Sequence, residues 1–434
     1  MNQKLSPFQI VLLGLMVVAI VGGVIVFATK RNKSAESKIP IDVWGTVPQE
    51  IMSNYQLKLN EDQEENIVNI IYKEISADTF ENELIEALAS DSGPDAVILD
   101  DEMLLKHENK LFLISYEYYS QKQFKDNFIE SGEVLLRKDG FLGFPITVDP
   151  LVLYWNRTML NNEGITNPPK YWDDLLSLVP RIVKKDSSGN ISRSAVAFGE
   201  YENVSNAKSM LIALIQQAGN NIIFRDLVEN NYYANLSDKF GFAQRPADAA
   251  LNFYTQFANP TKDVYSWNKS MPNSRELFIS GDLAFYFGLA SERKEIIQKN
   301  PNLNFDVAIL PQSRSSAENS TVGKMRFIAI LNKSQKIANA FSTITNMAGP
   351  QSIELLSNVM QVAPIRRDVS VDFTSQSHMD VFHKSALISR VFLDPNKIET
   401  NQIFKKMIES VMIGSQSVSQ SVDRANLELE TLFK

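Results

Sequence analysis

The chain has 434 residues, of which 44% are hydrophobic and 22% are charged, and this length exceeds the size at which one core stops growing, so two domains or lobes are expected. Its net charge of −8 argues against a nucleic-acid partner, because nucleic-acid binding requires a basic surface. The absence of cysteine excludes disulfides, thiolate catalysis, cysteine zinc sites and lipidation of an N-terminal cysteine.

An apolar segment near the N-terminus is the clearest pattern. Residues 6–29 carry no charge, and residues 10–28 are apolar or glycine throughout. As a helix rising about 1.5 Å per residue, this run reaches roughly 28 Å, close to the hydrocarbon thickness of a bilayer. A cleavable signal peptide has a shorter apolar core, although Val26-Phe27-Ala28 is compatible with a cleavage site. The pattern predicts that residues 1–39 form a transmembrane anchor and linker, with residues 8–29 in the bilayer.

Strands and helices alternate after the linker. The sequence predicts strands at 41–44, 67–75 and 96–99, a helix at 49–59, and a second helix that Asp78 caps, with Glu81 completing a capping box. This order is typical of a parallel sheet with helical crossovers. Ligands bind beyond the carboxyl ends of such strands, so Trp44 and residues 100–102 are expected on one rim.

The segment from 139 to 156 changes character several times. Asp139-Gly140 predicts a tight turn into an extended run at 141–146, and Thr147-Val148-Asp149-Pro150 forms a polar break. Residues 151–155 are almost wholly apolar, which is typical of a strand buried on both faces. Asn156 is expected to cap a short helix.

The pattern of strands and helices resumes beyond this segment. We predict strands at 195–198, 283–287, 305–310 and 326–331, and helices at 205–218, 247–257, 274–279, 291–299, 334–347 and 418–432. Residues 224–244 lack periodicity and are expected to be rich in loops.

Several of these segments carry a family resemblance. FPITVDPLVLYWN, NEGI and NPPKYWDDLL between residues 144 and 176 resemble extracellular solute-binding proteins of the maltose- and sugar-binding type. Weaker matches follow in the family's order, namely IDVWG at 41–45, GPDAVILDD at 93–101, ELFISGDLAFYFG at 276–288, VAILPQ at 307–312 and VAPIRRDV at 362–369. The resemblance implies an α/β fold of the type II periplasmic-binding-protein class, in which two lobes meet at a hinge.

The resemblance also implies how the chain divides. Lobe 1 is expected to comprise residues 40–146 and 311–360, and lobe 2 residues 147–310 and 361–434. The chain then crosses between lobes near 146–150, near 307–311 and at about 360.

A binding site of this kind needs aromatic faces and fixed polar groups that orient the ligand. The candidate ligand-binding residues are Trp44, Asp101, Glu102, Asp149, Glu200, Tyr201, Trp267, Arg326 and Arg366. By resemblance, Asp149 matches the family's sugar-contacting hinge acid, Glu102 its near-lobe carboxylate, and Glu200 and Tyr201 its far-lobe loop.

Each of the other candidates has two interpretations, one as a ligand contact and one as a structural residue. Trp44 is either a stacking platform or a core residue, and Trp267 either reaches the cleft or packs inside. Arg326 and Arg366 follow strand or hinge edges, where they hold an anionic ligand or serve a structural role. Leu99 and Gly288-Leu289-Ala290 replace aromatic positions of maltose-type receptors, which weakens the case for a long oligosaccharide.

The expected function is therefore that of an extracytoplasmic receptor for a small-molecule solute, a sugar or oligosaccharide. By resemblance, hinge closure on the solute lets the receptor deliver it to the permease subunits of an ABC importer. The protein is expected in the cell membrane as a single-pass protein, with its body on the extracytoplasmic side.

Alternatives are a receptor of the same fold with a sensory or surface-assembly role, and a secreted carbohydrate-active enzyme. Asp100-Asp101 offers the paired carboxylates of a glycosidase, but no catalytic motif occurs in a fitting context, so no enzyme is expected. His378 and His383 lack a nearby third ligand. Neither a metal nor a cofactor is expected.

Overall fold

The computed structural model describes residues 39–61, 69–226, 231–314, 316, 318–369 and 377–433. The predicted anchor at residues 8–29 lies outside these ranges. Within them, no helix combines the length and the apolar character that crossing a bilayer requires.

The strands are mostly runs of β-branched, aromatic and other apolar residues, as expected for buried positions in a sheet. They are β1 (Ile41–Gly45), β2 (Ile70–Glu74), β3 (Ala96–Asp100), β4 (Ile114–Ser115), β5 (Gly140–Phe141), β6 (Phe144–Asn156), β7 (Lys184–Lys185), β8 (Ile191–Val196), β9 (Ile223–Arg225), β10 (Tyr232–Ala234), β11 (Leu283–Leu289), β12 (Phe305–Ala308), β13 (Thr321–Ile330) and β14 (Ser389–Arg390). Every residue of β6 except Asp149 is buried, which marks it as a central strand.

The helices follow amphipathic runs. They are Gln49–Asn60, Phe80–Ala89, Leu104–His107, Gln121–Asn127, Arg157–Asn162, Trp172–Ile182, Ala207–Gln217, Pro246–Thr255, Ser274–Ser280, Glu292–Lys299, Ile337–Met347, Pro350–Met360, Ser377–Leu387, Lys397–Met412 and Val418–Thr431. Asn156 accepts a hydrogen bond from the backbone nitrogen of Met159, which confirms the predicted cap. The predicted Asp78 cap is wrong, because the helix is preceded by Thr79, whose hydroxyl donates to Glu83 instead.

One large sheet runs through the molecule in the order β2-β1-β3-β13-β6-β11-β8-β7, with β12 on β6 and β14 on β13. β1 pairs parallel with β2 and β3, as the alternation of strands and helices predicted. β13 is antiparallel to both β3 and β6. β11 is antiparallel to β6 and parallel to β8.

Two long strands, β6 and β13, join the two halves of this sheet. The amino half of β6 pairs with β13, and its carboxyl half pairs with β11 and β12. The carboxyl half of β13 pairs with β3. We call the β1, β2 and β3 side the first lobe and the β8, β11 and β12 side the second lobe.

Each lobe has its own aromatic cluster. In the first lobe, the rings of Phe141 and Phe144 lie 5.0 Å apart and contact Phe124 and Phe128. In the second, the ring of Phe198 stacks on Phe287 at 4.9 Å.

One predicted strand division and two predicted crossings need correction. The extended runs predicted at 141–146 and 151–155 largely form one strand, β6. Pro150 does not interrupt it, because a proline favours an extended conformation in the residue before it, here Asp149. The predicted crossing at 307–311 is wrong, since β12 pairs within the second lobe and β13 makes the crossing. The predicted crossing at about 360 comes too early, because Ile365 and Arg367 hydrogen-bond to first-lobe residues 127 and 129.

Candidate functional site

The predicted first-lobe rim lies where β3 ends. Asp100 is the last residue of that strand, and a single helical turn, Asp101–Met103, follows at once. The end of β3 therefore brings three consecutive carboxylates to the rim, and their surroundings differ.

Asp101 is held inside the protein. It is only 4% exposed and accepts a 2.8 Å hydrogen bond from the backbone nitrogen of Met325 in β13. Burial raises the pKa of Asp101 well above its usual range, and repulsion from Glu102 acts in the same direction. The structure thus places the predicted ligand residue Asp101 against β13, where it fixes the rim and does not face a solute.

Glu102 lies at the centre of a group of charges from both lobes. Its carboxylate is 2.7 Å from the ammonium of Lys397 and 3.7 Å from that of Lys324. Burial alone would raise the pKa of Glu102, but these two lysines outweigh it and lower the pKa. Lys397 begins a helix that packs on the second-lobe helix Ala207–Gln217, so its ion pair with Glu102 links the two lobes.

The second lobe continues this group of charges. The ammonium of Lys208 lies 2.6 Å from both a carboxylate oxygen of Asp394 and the hydroxyl of Thr400. The rings of Phe392 and Phe404 lie 5.4 Å and 5.9 Å from the same ammonium. Burial lowers the pKa of Lys208, while Asp394 and Glu102 oppose that shift. We call Glu102, Lys208, Lys324, Asp394 and Lys397 the interlobe polar cluster.

Sequence reasoning found only Glu102 of this cluster. Lys324 precedes Arg326 by two residues on one strand, and side chains at this spacing share a face, so alternation along β13 offered a signal. Asp394 and Lys397 lie where a loop enters a helix, and Lys208 lies within the helix Ala207–Gln217. Only tertiary contact brings these three residues to the rim.

Arg326 and Trp44 complete the first-lobe rim. Arg326 donates a 2.8 Å hydrogen bond to Asp100, and both side chains are about one-third exposed, at 34% and 38%. Trp44 is half-buried, and the ammonium of Lys73 lies 4.3 Å from its ring centroid. Both residues are therefore reachable from solvent at the carboxyl ends of the strands.

Asp149 connects the crossing strand β6 to the second lobe. One carboxylate oxygen accepts from the backbone nitrogen of Ser291 at 3.0 Å, and the other accepts from its hydroxyl at 2.6 Å. Asp149 is partly buried, and its loss of hydration raises its pKa to about 6, although the bonds from Ser291 act in the opposite direction. Lys324 is its register partner on β13. The structure thus shows Asp149 at the hinge with both oxygens in use.

The substitution Asp149→Asn should change how stability depends on pH. Because the folded-state pKa is about 6 and the ordinary value is 3.8, the folded protein retains a proton that the unfolded chain has released. As pH rises from about 4 to about 6, this group therefore removes about 2 kcal/mol of stability from the wild type. The variant lacks this loss, so urea denaturation should favour it increasingly at the higher pH.

The control for this comparison is Asp126→Asn, the same change at an exposed carboxylate that pairs with Lys122. The difference in unfolding free energy between each variant and the wild type is measured at pH 4 and pH 7. An Asp149→Asn difference that does not change with pH would contradict the assigned environment.

Glu200 and Tyr201 follow β8 in the second lobe. Gly199 has a φ of +90°, and a Cβ there would lie 2.5 Å from that of Ala258, so glycine is needed to form the loop. Burial raises the pKa of Glu200, with Lys269 opposing it, and raises that of Tyr201 to about 12. The negative charges of Glu202 and Asp394 add to the raised pKa of Tyr201.

The structure places Trp267 and Arg366 in the interior, so neither faces a cleft as predicted. Trp267 is 0% exposed, and its indole nitrogen donates to Asn203 at 3.0 Å. Polar neighbours suggested a surface loop, but the loop folds back through hydrogen bonds to the carbonyl of Phe257. Arg366 is 6% exposed and donates to Asp368 and to the carbonyl of Ala348.

A family model matches most of the chain. The model described as bacterial extracellular solute-binding protein matches residues 58–381. No curated protein matches the sequence.

Solved structures are similar over nearly the whole chain. The cyclic alpha-maltosyl-1,6-maltose binding protein from Arthrobacter globiformis has a TM-score of 0.74 and 15% identity, with 91% of this chain and 99% of that chain covered. The sugar-binding protein MalE from Xanthomonas citri has a TM-score of 0.70 and 18% identity, with 91% and 97% covered. A cyclo/maltodextrin-binding protein complexed with maltotetraose has a TM-score of 0.70 and 14% identity, with the same coverage. These likenesses confirm the predicted two-lobed fold.

Proposed function

Since this chain belongs to the family of bacterial extracellular solute-binding proteins, we propose that it is an extracytoplasmic receptor that delivers a carbohydrate to an ABC importer. The observation that carries this proposal is the interlobe polar cluster, in which Glu102 of the first lobe meets Lys397 of the second. A solute bound there would contact both lobes at once.

The chemistry of the rim suits a polar, uncharged ligand. Glu102, Lys324 and Lys397 are partly exposed and carry charges of both signs, so they can accept from and donate to hydroxyl groups without favouring either charge. Trp44 and Tyr201 supply half-buried aromatic surface on the two sides. The similar solved structures are described as proteins that bind sugars and maltodextrins, which supports a carbohydrate over other polar solutes.

The mechanism is closure about β6 and β13. These strands pass from one lobe to the other, so small changes in their dihedral angles alter the angle between the lobes. A ligand that contacts both lobes binds the closed form more tightly and shifts the population toward it. The receptor releases its ligand unchanged, since members of this family are binding proteins, and no enzymatic step is part of the proposal.

The structure suggests new bounds for the proposed lobes. The midpoints of β6 and β13, near Val148 and Lys324, divide the first and second lobes. Residues up to 369 belong with the first lobe, because the backbones of Ile365 and Arg367 form hydrogen bonds with those of residues 129 and 127. The helix Ser377–Leu387 packs on β12, so residues from 377 on belong with the second lobe.

The proposed location is the outer face of the cell membrane, with residues 8–29 in the bilayer as the anchor. The uncharged run in the sequence and the extracellular character of the family support it. Anchoring would raise the receptor's effective concentration near the importer's permease subunits. Protease added to intact cells tests the orientation, because a body on the cytoplasmic side would stay uncut.

The ligand is sought with the full-length protein in detergent. A thermal-shift screen covers monosaccharides, linear and cyclic oligosaccharides, polyols and small anions. A carbohydrate present at a hundred times its dissociation constant should add about 2.7 kcal/mol to the unfolding free energy, and it should be recovered intact afterwards. If only non-carbohydrate compounds stabilise the protein, or if the carbohydrate is cleaved, the proposed function fails.

A further inference from the structure

A small sheet, separate from the main one, reaches from the second lobe to the first. Its two strands, β9 and β10, pair antiparallel, with Arg225 opposite Tyr232. The pair packs against the second-lobe helix Val418–Thr431. It shares no residue with the interlobe polar cluster or with the crossing strands β6 and β13, so it forms a further connection between the lobes.

The second lobe holds the base of this strand pair. Asn220 is 0% exposed, and its side chain accepts from the backbone nitrogen of Ile222 at 2.6 Å and donates to the carbonyl of Asn235 at 2.8 Å. Ile222 has a φ of +64°, a conformation that a β-branched residue keeps only where its surroundings enforce it. Because Asn220 joins the residues on either side of the strand pair, the pair moves with the second lobe.

Two hydrogen bonds run from the strand pair to the first lobe. The guanidinium of Arg225 donates to the carbonyl of Leu136 at 2.8 Å. The hydroxyl of Tyr232 donates to the carboxylate of Glu108 at 3.1 Å. Such bonds need donor and acceptor at a distance of about 3 Å, so a rotation of one lobe against the other would break them.

The first lobe holds both acceptors in place. Arg137 is 8% exposed, and it donates to the other carboxylate oxygen of Glu108 at 2.6 Å. The same guanidinium donates to the carbonyl of Leu136 at 2.8 Å. Since Glu108 and Leu136 are oriented by their own lobe, bonding to the second lobe costs them little additional conformational entropy.

The donor Tyr232 is positioned by its own lobe. Its ring stacks on Phe433 with the centroids 6.0 Å apart, and the guanidinium of Arg225 lies 5.6 Å from the same ring. Burial raises the pKa of Tyr232 to about 12, and the charge of Glu108 adds to this rise while Arg137 opposes it. The hydroxyl therefore keeps its proton at neutral pH and donates to a carboxylate, which makes the hydrogen bond a strong one.

We propose that β9 and β10 act as an interlobe clasp, which holds the two lobes together without solute through the bonds of Tyr232 to Glu108 and of Arg225 to Leu136. A receptor that is closed for part of the time spends less binding free energy on closure, so the clasp raises solute affinity without contacting the solute. This consequence for affinity rests on the proposed function, whereas the clasp itself does not.

The test measures the separation of the lobes by double electron–electron resonance, on the full-length protein in detergent and without solute. The chain has no cysteine, so Lys122→Cys in the first lobe and Lys262→Cys in the second provide the two labelling sites. Both lysines are exposed, and neither belongs to the clasp or to the interlobe polar cluster. The labelled protein should give mainly the short distance of the lobe arrangement seen here.

Tyr232→Phe in this labelled background removes only the hydroxyl of the clasp. Glu108 keeps its bond from Arg137, so the variant leaves no unpaired charge. The ratio of closed to open molecules should fall about tenfold, and a component at longer distance should grow. Tyr232→Ala also removes the stacking on Phe433 and should open the lobes further.

Tyr265→Phe is the matched control. It deletes a hydroxyl that accepts from Asn268 within the second lobe, so the distances should stay those of the wild type. Unchanged distances in both Tyr232 variants, equal opening in the control, or a wild type that is mainly open would overturn the clasp.

Solute binding is measured separately. Once the carbohydrate screen has found a ligand, its affinity in Tyr232→Phe should fall by up to the same factor as the closed population, and unchanged affinity despite opening would overturn the proposed consequence. Opening in the Tyr232 variants together with a negative screen leaves the clasp standing and removes the sugar receptor. A positive screen with unchanged lobe distances does the reverse.

Discussion

Trp267→Ala should lower the free energy of unfolding by about 4 kcal/mol. The side chain is 0% exposed, so its removal takes away apolar burial and leaves a cavity that the surrounding structure only partly fills. The indole nitrogen also donates to Asn203, whose side-chain oxygen loses that partner. Equilibrium urea denaturation of the full-length protein, followed by circular dichroism, measures the shift in the midpoint.

Trp44→Ala is the matched control, because it deletes the same side chain at the rim. Trp44 is half-buried and packs beside Lys73, so about 1 to 2 kcal/mol should be lost. If Trp44 is a stacking platform, solute affinity should fall in this variant and stay unchanged in Trp267→Ala at a temperature where both are folded. Equal losses of stability in the two variants would contradict the assigned burial.

The sequence was sufficient to predict most of the longer strands and most of the helices in their order along the chain, because each of these elements depends on a local pattern. The three parallel strands β1, β2 and β3 and the cap at Asn156 are of this kind. Pro150 was the exception. A proline usually interrupts a central strand, yet here it fixes its neighbour Asp149 in the extended conformation that β6 needs, so two predicted strands are one.

Long-range pairing could not be predicted from such patterns. Residues 305–310 are apolar apart from Asp306, a pattern that occurs in strands of either lobe, and only the register against β6 shows that β12 stays in the second lobe. The candidate site could not be predicted completely for the same reason. Glu102 is recognisable at the end of a strand, but Lys397, nearly three hundred residues later, pairs with it only because the chain returns through a loop.

Asp149 and Glu102 stabilise different contacts. Asp149 bonds twice to Ser291, so it joins a crossing strand to its own lobe and helps to fix the position of β6. Glu102 bonds across the lobes, so its contacts depend on the angle between them. We therefore expect Asp149 to govern stability and its pH dependence, and Glu102 to govern ligand affinity.

Glu102→Gln should reduce carbohydrate affinity about a hundredfold, because a hydrogen bond to a charged group contributes roughly 1.5 to 3 kcal/mol. The amide keeps the shape of the side chain but loses the charge that Lys324 and Lys397 hold in place. Isothermal titration with the carbohydrate found in the thermal-shift screen measures the loss. Glu83→Gln is the control, since it makes the same change in an exposed pair with Lys73.

Lys397→Gln distinguishes a ligand contact from a link between lobes. If Glu102 binds the solute directly, this second variant frees the carboxylate from its interlobe partner, and affinity should fall much less than in Glu102→Gln. If the ion pair matters only because it holds the lobes closed, both variants remove the same link and should lose affinity equally. Either explanation predicts a double variant about as weak as Glu102→Gln alone, so the comparison of the two single variants makes the distinction. Wild-type affinity in Glu102→Gln would exclude Glu102 from the solute site.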